Sequence, residues 1–155
     1  MRTSRPPHSC DLRKGRFSQL GQVYLVTTRC NRRKKLFSDL RLGQIVIDEI
    51  HHSDLVVNTK TLAFVVMPDH LHWLLELRDS KSLSHTVKQL KGRAARRINL
   101  SRQQTRIVRQ SGFHDRAIRH MQDLRELGLY IANNPVRAGL VSHYTEYSML
   151  HVSWL

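Results

Sequence analysis

The sequence predicts an α+β fold of the ferredoxin-like kind, a βαββαβ unit on an antiparallel sheet with packed helices and one further helix at the C-terminal end. Three observations predict it. A β-prone run around residue 25 is followed by an amphipathic helical stretch. Two apolar runs, Leu62 to Met67 and Leu71 to Leu75, meet at Pro68-Asp69, a pair that cannot continue a ladder. A second amphipathic stretch then leads into another short extended segment. The tight corner makes the middle strands antiparallel, and helices after the first and third strands serve as crossovers, which is the split βαβ pattern.

The first strand spans Gln22 to Arg29, where Val23, Tyr24, Leu25, Val26, Thr27 and Thr28 favour an extended chain. It runs into Arg29-Cys30-Asn31-Arg32-Arg33-Lys34-Lys35, five cations in seven residues, a basic loop suited to clamping phosphates. Ser38 or Asp39 caps a helix to about His52, with Leu40, Ile47 and Ile50 on one stripe and Leu42, Ile45 and Val46 broadening it. The second strand, from about Lys60 to Met67, is apolar on both faces and belongs inside the sheet. His70 and His72 open the third strand. Side chains alternate along a strand, so both imidazoles project with Leu74 and Glu76, while Leu71, Trp73, Leu75 and Leu77 face the other side.

Ser82 caps the next helix, which runs to about Leu100 with Leu83, Val87, Leu90, Ala94 and Ile98 as its apolar stripe. The remaining circumference carries Lys88, Lys91, Arg93, Arg96 and Arg97 with no acidic residue at i+4 spacing, a pattern that points to nucleic-acid contact. Ser101 to Gln110 reads as a polar, basic loop, and Gly112 to Arg119 as a fourth strand with weak alternation. A last helix spans about Met121 to Asn133. Met121, Leu124, Gly128 and Ile131 point inward, and Asp123, Glu126, Tyr130 and Asn134 form an adjoining polar face. Pro135 disfavours helical geometry at Asn134, which ends the helix and leaves Tyr130 on its last full turn.

Length and charge narrow the function. A chain of 155 residues suits one domain, here residues 21–155, preceded by a basic flexible arm over residues 1–20 that begins Met1-Arg2-Thr3-Ser4-Arg5-Pro6-Pro7. Lys and Arg number 26 against 12 acidic residues, a net charge of +14, and a field of that sign favours a polyanion, most commonly nucleic acid. No apolar run has the length to span a bilayer, and the N-terminus lacks the apolar core of a secretion signal. Cys10 and Cys30 are the only cysteines and form no CxxC cluster, so the default is a reduced, cytoplasmic protein, nucleoid-associated if it binds DNA, without a zinc-thiolate site.

Two constellations carry chemistry. Side-by-side neutral imidazoles at His70 and His72 make half of a divalent-metal site. Tyr130 and Asn134, one helical turn apart, put a hydroxyl and an amide oxygen on one face, about 6 Å apart at the backbone. If the two faces meet, the amide oxygen completes a three-ligand site for Mg²⁺ or Mn²⁺ with positions left for substrate oxygens. The hydroxyl then lies beside a Lewis acid, where it can attack a phosphodiester and form a covalent phosphotyrosyl intermediate.

These residues resemble a known family. Pro68-Asp69-His70-Leu71-His72 is similar to the His-hydrophobe-His motif of HUH endonucleases, and YIANNPVRAGLV, from Tyr130 to Val141, resembles the tyrosine motif of REP-associated tyrosine transposases, relatives of single-tyrosine insertion-sequence transposases. GFHDRAIR (Gly112 to Arg119) and VYLVTTRCNRRKKLF (Val23 to Phe37) are similar to further blocks, so the likeness runs from about Gly21 to Met149. The resemblance implies a ferredoxin-like fold, a divalent metal on His70 and His72 with Asn134 as third ligand, Tyr130 as catalytic nucleophile, and single-stranded or hairpin DNA as substrate. It implies cleavage that leaves a 5′-phosphate on Tyr130 and frees a 3′-hydroxyl, with no nucleotide cofactor, in a monomer or homodimer. Targets would be palindromic repeats, bound by Arg32, Arg33, Lys34, Lys35, the cations of the second helix, and Arg116 and Arg137 of the two later blocks. Many relatives carry Trp-Gln ahead of the GFHDR-like block, where Arg109-Gln110 stands here. Two other readings compete: a domesticated protein that binds hairpins without cutting them, and a two-histidine phosphoesterase, which would want a second His-x-Ser/Thr that this chain lacks.

Overall fold

The computed structural model describes residues 20–56, 58–78, 82–109 and 112–155; apart from Leu20, the expected N-terminal arm lies outside them, as do Cys10 and Gln110. The elements follow the order β1 (Val23–Arg29), α1 (Leu40–Leu55), β2 (Thr59–Met67), β3 (His70–Leu77), α2 (Leu83–Ser101), β4 (His114–Ile118), α3 (Met121–Arg137) and β5 (Leu150–Val152). The strands form one sheet in the order β4-β1-β3-β2-β5, antiparallel throughout. The first four strands have the ferredoxin-like arrangement that the sequence predicts.

The sheet is covered on both faces because β1, β2 and β3 carry apolar residues on both. On one face Tyr24, Val26, Phe64, Leu71, Trp73 and Leu75 pack with Leu42, Val46 and Ile50 of α1 and with Leu83, Val87, Leu90, Ala94 and Ile98 of α2. On the other, Ala63, Val65, Met67 and Leu74 pack with Leu127, Ile131 and Ala132 of α3. The alternation along β3 therefore sends His70 and His72 toward the α3 face, with Leu74.

The structure chooses between open readings at some points and corrects others. Asp39, not Ser38, caps α1, its side chain accepting from the Arg41 N–H, and the helix runs a turn beyond His52. Leu40 and Met121 are 62% and 82% exposed. Each is the first residue of its helix: Leu40 sits at the margin of its stripe, about 20° past Ile47 at 100° per residue, and packing on α3 begins only at Leu124. Third, α3 passes through Pro135 to Arg137. Pro135 is buried on the stripe of Ile131, and that burial outweighs the local bias against a helical residue before proline. The helix stops instead at Gly139, whose positive φ of 72° lets Gly139 N–H reach the Val136 carbonyl (3.0 Å) and Leu140 N–H the Pro135 carbonyl (2.9 Å), a Schellman ending. Finally, β2 is interior as expected, but one neighbour is β5, which the sequence did not suggest. A three-residue strand has no readable period. Tyr147 supports it by donating its hydroxyl hydrogen bond to the Val66 carbonyl (2.6 Å).

Candidate active site

The corner between β2 and β3 is built from both sides. The backbone N–H of Cys30 donates to the Asp69 carbonyl (2.8 Å) and that of Phe37 to the Pro68 carbonyl (2.9 Å), so the basic loop after β1 is tied to the turn that precedes His70. In the antiparallel register of β1 and β3, His70 lies opposite Arg29 and His72 opposite Thr27. Directly opposed residues share a face, so all four project toward α3. The two imidazole centroids are 4.8 Å apart.

Each imidazole has a fixed neighbour. His70 Nδ1 is 2.6 Å from Asp69 Oδ1, while Arg33 Nε donates to the other oxygen of Asp69 (3.3 Å). His72 Nδ1 is 2.8 Å from Thr27 Oγ1. Burial pushes the His72 pKa down to about 4, with help from the charges of His70, Arg29 and Arg137, so this ring is a neutral base near pH 7. Burial opposes ionisation of Asp69, but hydrogen bonds and charge from His70 and Arg33 hold its carboxyl below the usual value.

Tyr130 arrives from α3. Its ring centroid is 5.9 Å from that of His72, edge-on at 66°, and the residue is 42% exposed, so the phenol stands at the surface beside the imidazole pair. The Arg137 guanidinium stacks 4.2 Å from the Tyr130 ring centroid, and its NH2 donates to the Tyr130 carbonyl (3.4 Å). Asn134 follows one turn later, partly buried, with Nδ2 turned toward the same carbonyl (3.5 Å). Residues far apart in sequence are thus brought together, His70 and His72 from β3 and Tyr130 from α3, whereas the contact seen for Asn134, one turn later, is to the backbone of its own helix.

Among the described residues no group of three or more His, Cys, Asp or Glu side chains could hold an ion. What the site offers is two adjacent imidazoles, one kept neutral, with an amide on the neighbouring helix. That set fits a divalent cation that also takes oxygen from substrate and water.

The basic residues divide between the two faces. Arg32, Arg33, Lys34 and Lys35 are exposed on the loop beside the corner, and Arg32 and Arg33 adopt left-handed backbone (φ 53° and 52°). Arg116 lies opposite Leu25 and His114 opposite Thr27, both exposed on the α3 side of the edge strand β4. The α2 cations lie across the sheet. Lys88 and Arg96 are exposed, and Lys91 Nζ donates to the Gly112 carbonyl (2.6 Å). Arg93 Nε binds Glu49 Oε2 (2.6 Å), and Arg97 binds Glu49 Oε1 (2.9 Å) and Asp48 Oδ2 (3.0 Å). Acidic partners absent along α2 are therefore supplied by α1, which i+4 spacing within one helix could not reveal. Arg109 is 6% exposed, donates to Thr28 Oγ1, and stacks 5.1 Å from the Phe37 ring centroid, packing beneath the loop as a flat side chain.

Sequence reasoning did not place Thr27, Asp69 or His114 on this face, and it named Arg29 only among the cations of the basic loop. Asp69 stood inside the motif but read as a turn residue. The other three are placed by strand register, which residue spacing within one strand does not supply.

Residues 19–120 match the family described as "Transposase IS200 like", a span that includes His70 and His72 and ends before Tyr130. No curated protein matches the chain. Among solved structures, a REP-associated tyrosine transposase bound to a REP hairpin is similar with a TM-score of 0.72 and 23% identity over 87% of this chain and 79% of that one. A putative transposase from Deinococcus radiodurans is similar with a TM-score of 0.52 and 19% identity over 86% and 97%. At these identities the likeness to solved structures is one of fold, whereas the family match spans more than half of the sequence: the chain belongs to the IS200-like transposase family.

Proposed function

We propose that this protein is a single-stranded DNA endonuclease and strand transferase that works through Tyr130, with Mg²⁺ or Mn²⁺ held by His70, His72 and Asn134. The observation that carries the reading is the 5.9 Å approach of the exposed Tyr130 ring to His72. A phosphate reaching one reaches the other. When bound, the divalent ion supplies Lewis-acid polarisation of the scissile phosphate and offsets its charge.

The protein's own residues do the rest. Arg137 stacks on the Tyr130 ring and restrains its swing, and brings a positive charge to the place where phosphate arrives. The Tyr130 hydroxyl gives up its proton to solvent as its oxygen bonds to phosphorus, the bond from phosphorus to the 3′-oxygen breaks, and the leaving strand takes a proton from solvent as a 3′-hydroxyl. The retained 5′-phosphotyrosine conserves the bond energy, so rejoining by a 3′-hydroxyl needs no nucleotide. The approach of Tyr130 to His72 of its own chain supports a tyrosine that acts in cis, in a monomer or homodimer.

Arg32, Arg33, Lys34, Lys35, Arg116 and Arg137 follow the strand on the site face. The α2 cations, Lys88, Lys91, Arg93, Arg96 and Arg97, offer a second basic surface across the sheet for flanking hairpin DNA. A palindromic hairpin of the REP kind is the proposed target; the fold neighbour bound to a REP hairpin supports that choice. Among the described residues no helix is long and apolar enough to cross a membrane. The test is a labelled hairpin oligonucleotide with a single-stranded flank, incubated with the protein and Mn²⁺. The expected product is a denaturation-resistant protein–DNA adduct together with a free 3′-hydroxyl strand. Retention of the hairpin without adduct would favour a binding protein that does not cut.

A further inference from the structure

We infer that Asp69, held in place by Arg33, is a positioning residue that fixes the tautomer of His70 and keeps its outward nitrogen free to ligate. The inference rests on the reading of His70 as a metal ligand. An ionised carboxylate only accepts, so the 2.6 Å contact from Asp69 Oδ1 requires the proton of His70 to sit on Nδ1, which leaves the Nε2 lone pair for the ion. The second carboxylate oxygen is taken by Arg33 Nε (3.3 Å), so Asp69 is held at two points and cannot rotate away.

The surroundings show that this geometry is maintained at a cost. Arg32 and Arg33 both hold left-handed backbone, which is unfavourable for a residue with a side chain. That conformation carries the Arg33 guanidinium to Asp69. The loop is anchored by the backbone bonds from Cys30 to Asp69 and from Phe37 to Pro68, with the Phe37 ring buried against Arg109. A turn needs only Pro68-Asp69; it does not need an arginine strained to reach the aspartate. Arg33 is more than half exposed while Asp69 is mostly covered, so the same loop that presents cations to DNA also supports the ligand.

Two measurements test it. Titration of Mn²⁺ alone into the protein, followed by the electron-spin signal of the free ion, is expected to show that Asp69→Asn weakens affinity roughly 10-fold or more. Arg33→Gln is expected to weaken it about 3-fold. Nitrogen-15 spectra of the metal-free protein are expected to show His70 protonated at Nδ1, with the Nε2-protonated form appearing in Asp69→Asn. A purely structural aspartate would lower thermal stability and move neither readout. The inference is overturned if folded Asp69→Asn binds Mn²⁺ like the parent or if His70 of the parent carries its proton on Nε2. Should Asp69→Asn not fold, Arg33→Gln decides, and parent-like affinity there overturns the inference. Failure of the parent to bind Mn²⁺ would remove the metal reading instead, and the tautomer would still report on Asp69.

Discussion

At the scale of single residues, the site is a mixture of what spacing gives away and what only three dimensions supply. His70 and His72 share a face because a strand alternates, and Tyr130 and Asn134 share one because a helix turns every 3.6 residues. Those relations are local, so they were legible. Asp69 and Thr27 were not, because a contact to Nδ1 depends on a rotamer and on strand register. Arg109 shows the converse: a cation in a basic loop that looks available for phosphate is buried. Among the described residues its Nε and Nη2 have no hydrogen-bond partner, and burial brings its pKa down to about 10. A buried cation without an acidic partner is often replaced by an apolar residue at no cost or with a gain. Arg109→Leu is therefore expected to raise stability by about 1 kcal/mol, measured by denaturant unfolding, with hairpin affinity unchanged. A loss of stability would mean that the stack on Phe37 outweighs the unmade hydrogen bonds.

At the scale of elements, α1 and α2 were read correctly as amphipathic helices, yet the bond between them was not. Glu49 is 3% exposed and meets Arg93 and Arg97 at once. Burial works against its charge, but the hydrogen bonds from both arginines prevail and hold its carboxyl below the usual value of 4.5. The folded-state pKa is thus depressed. The pair's contribution is complete above the ordinary carboxylate range and is lost as pH falls below about 4.5 toward the folded value. Arg97→Ala is expected to cost about 1–3 kcal/mol near neutral pH by leaving one side of a buried carboxylate unmatched, and to shrink the acid-dependent part of stability. Unfolding curves at several pH values check both; a variant as stable as the parent at pH 7 would show that Arg93 alone suffices. The end of α3 was misread for a related reason. Pro135 carries a strong local signal, whereas its burial beneath the sheet is a tertiary fact. Gly139, whose left-handed backbone ends the helix, was visible in the sequence but was outranked by the proline.

For the whole molecule, the five-stranded sheet separates two basic surfaces: Arg116 and Arg137 on the α3 side, and Lys88 with Arg96 on α2 across it, while Arg32 to Lys35 stand on the corner loop that precedes α1. The sequence revealed the excess of charge and the ferredoxin-like order, and its resemblance to a transposase family is borne out over residues 19–120. It could not say which cations share a side, because that depends on how helices dock. Neutralising Lys34 and Lys35 together is expected to reduce the slope of log affinity against log salt by about 2 if each meets a phosphate, and to slow cleavage. Neutralising Lys88 and Arg96 is expected to lower the slope while leaving the cleavage rate at saturating DNA unchanged. Equal effects of the two pairs on cleavage would argue against the division between faces.

The central claim is that the phenol of Tyr130 carries the DNA. Digestion of the Mn²⁺-dependent adduct followed by mass spectrometry of its peptides measures this most directly. The account predicts a nucleotide 5′-phosphate on Tyr130, and no adduct from Tyr130→Phe, which retains hairpin affinity within a few-fold. A nucleotide on any other residue, or an undiminished adduct from Tyr130→Phe, would contradict it.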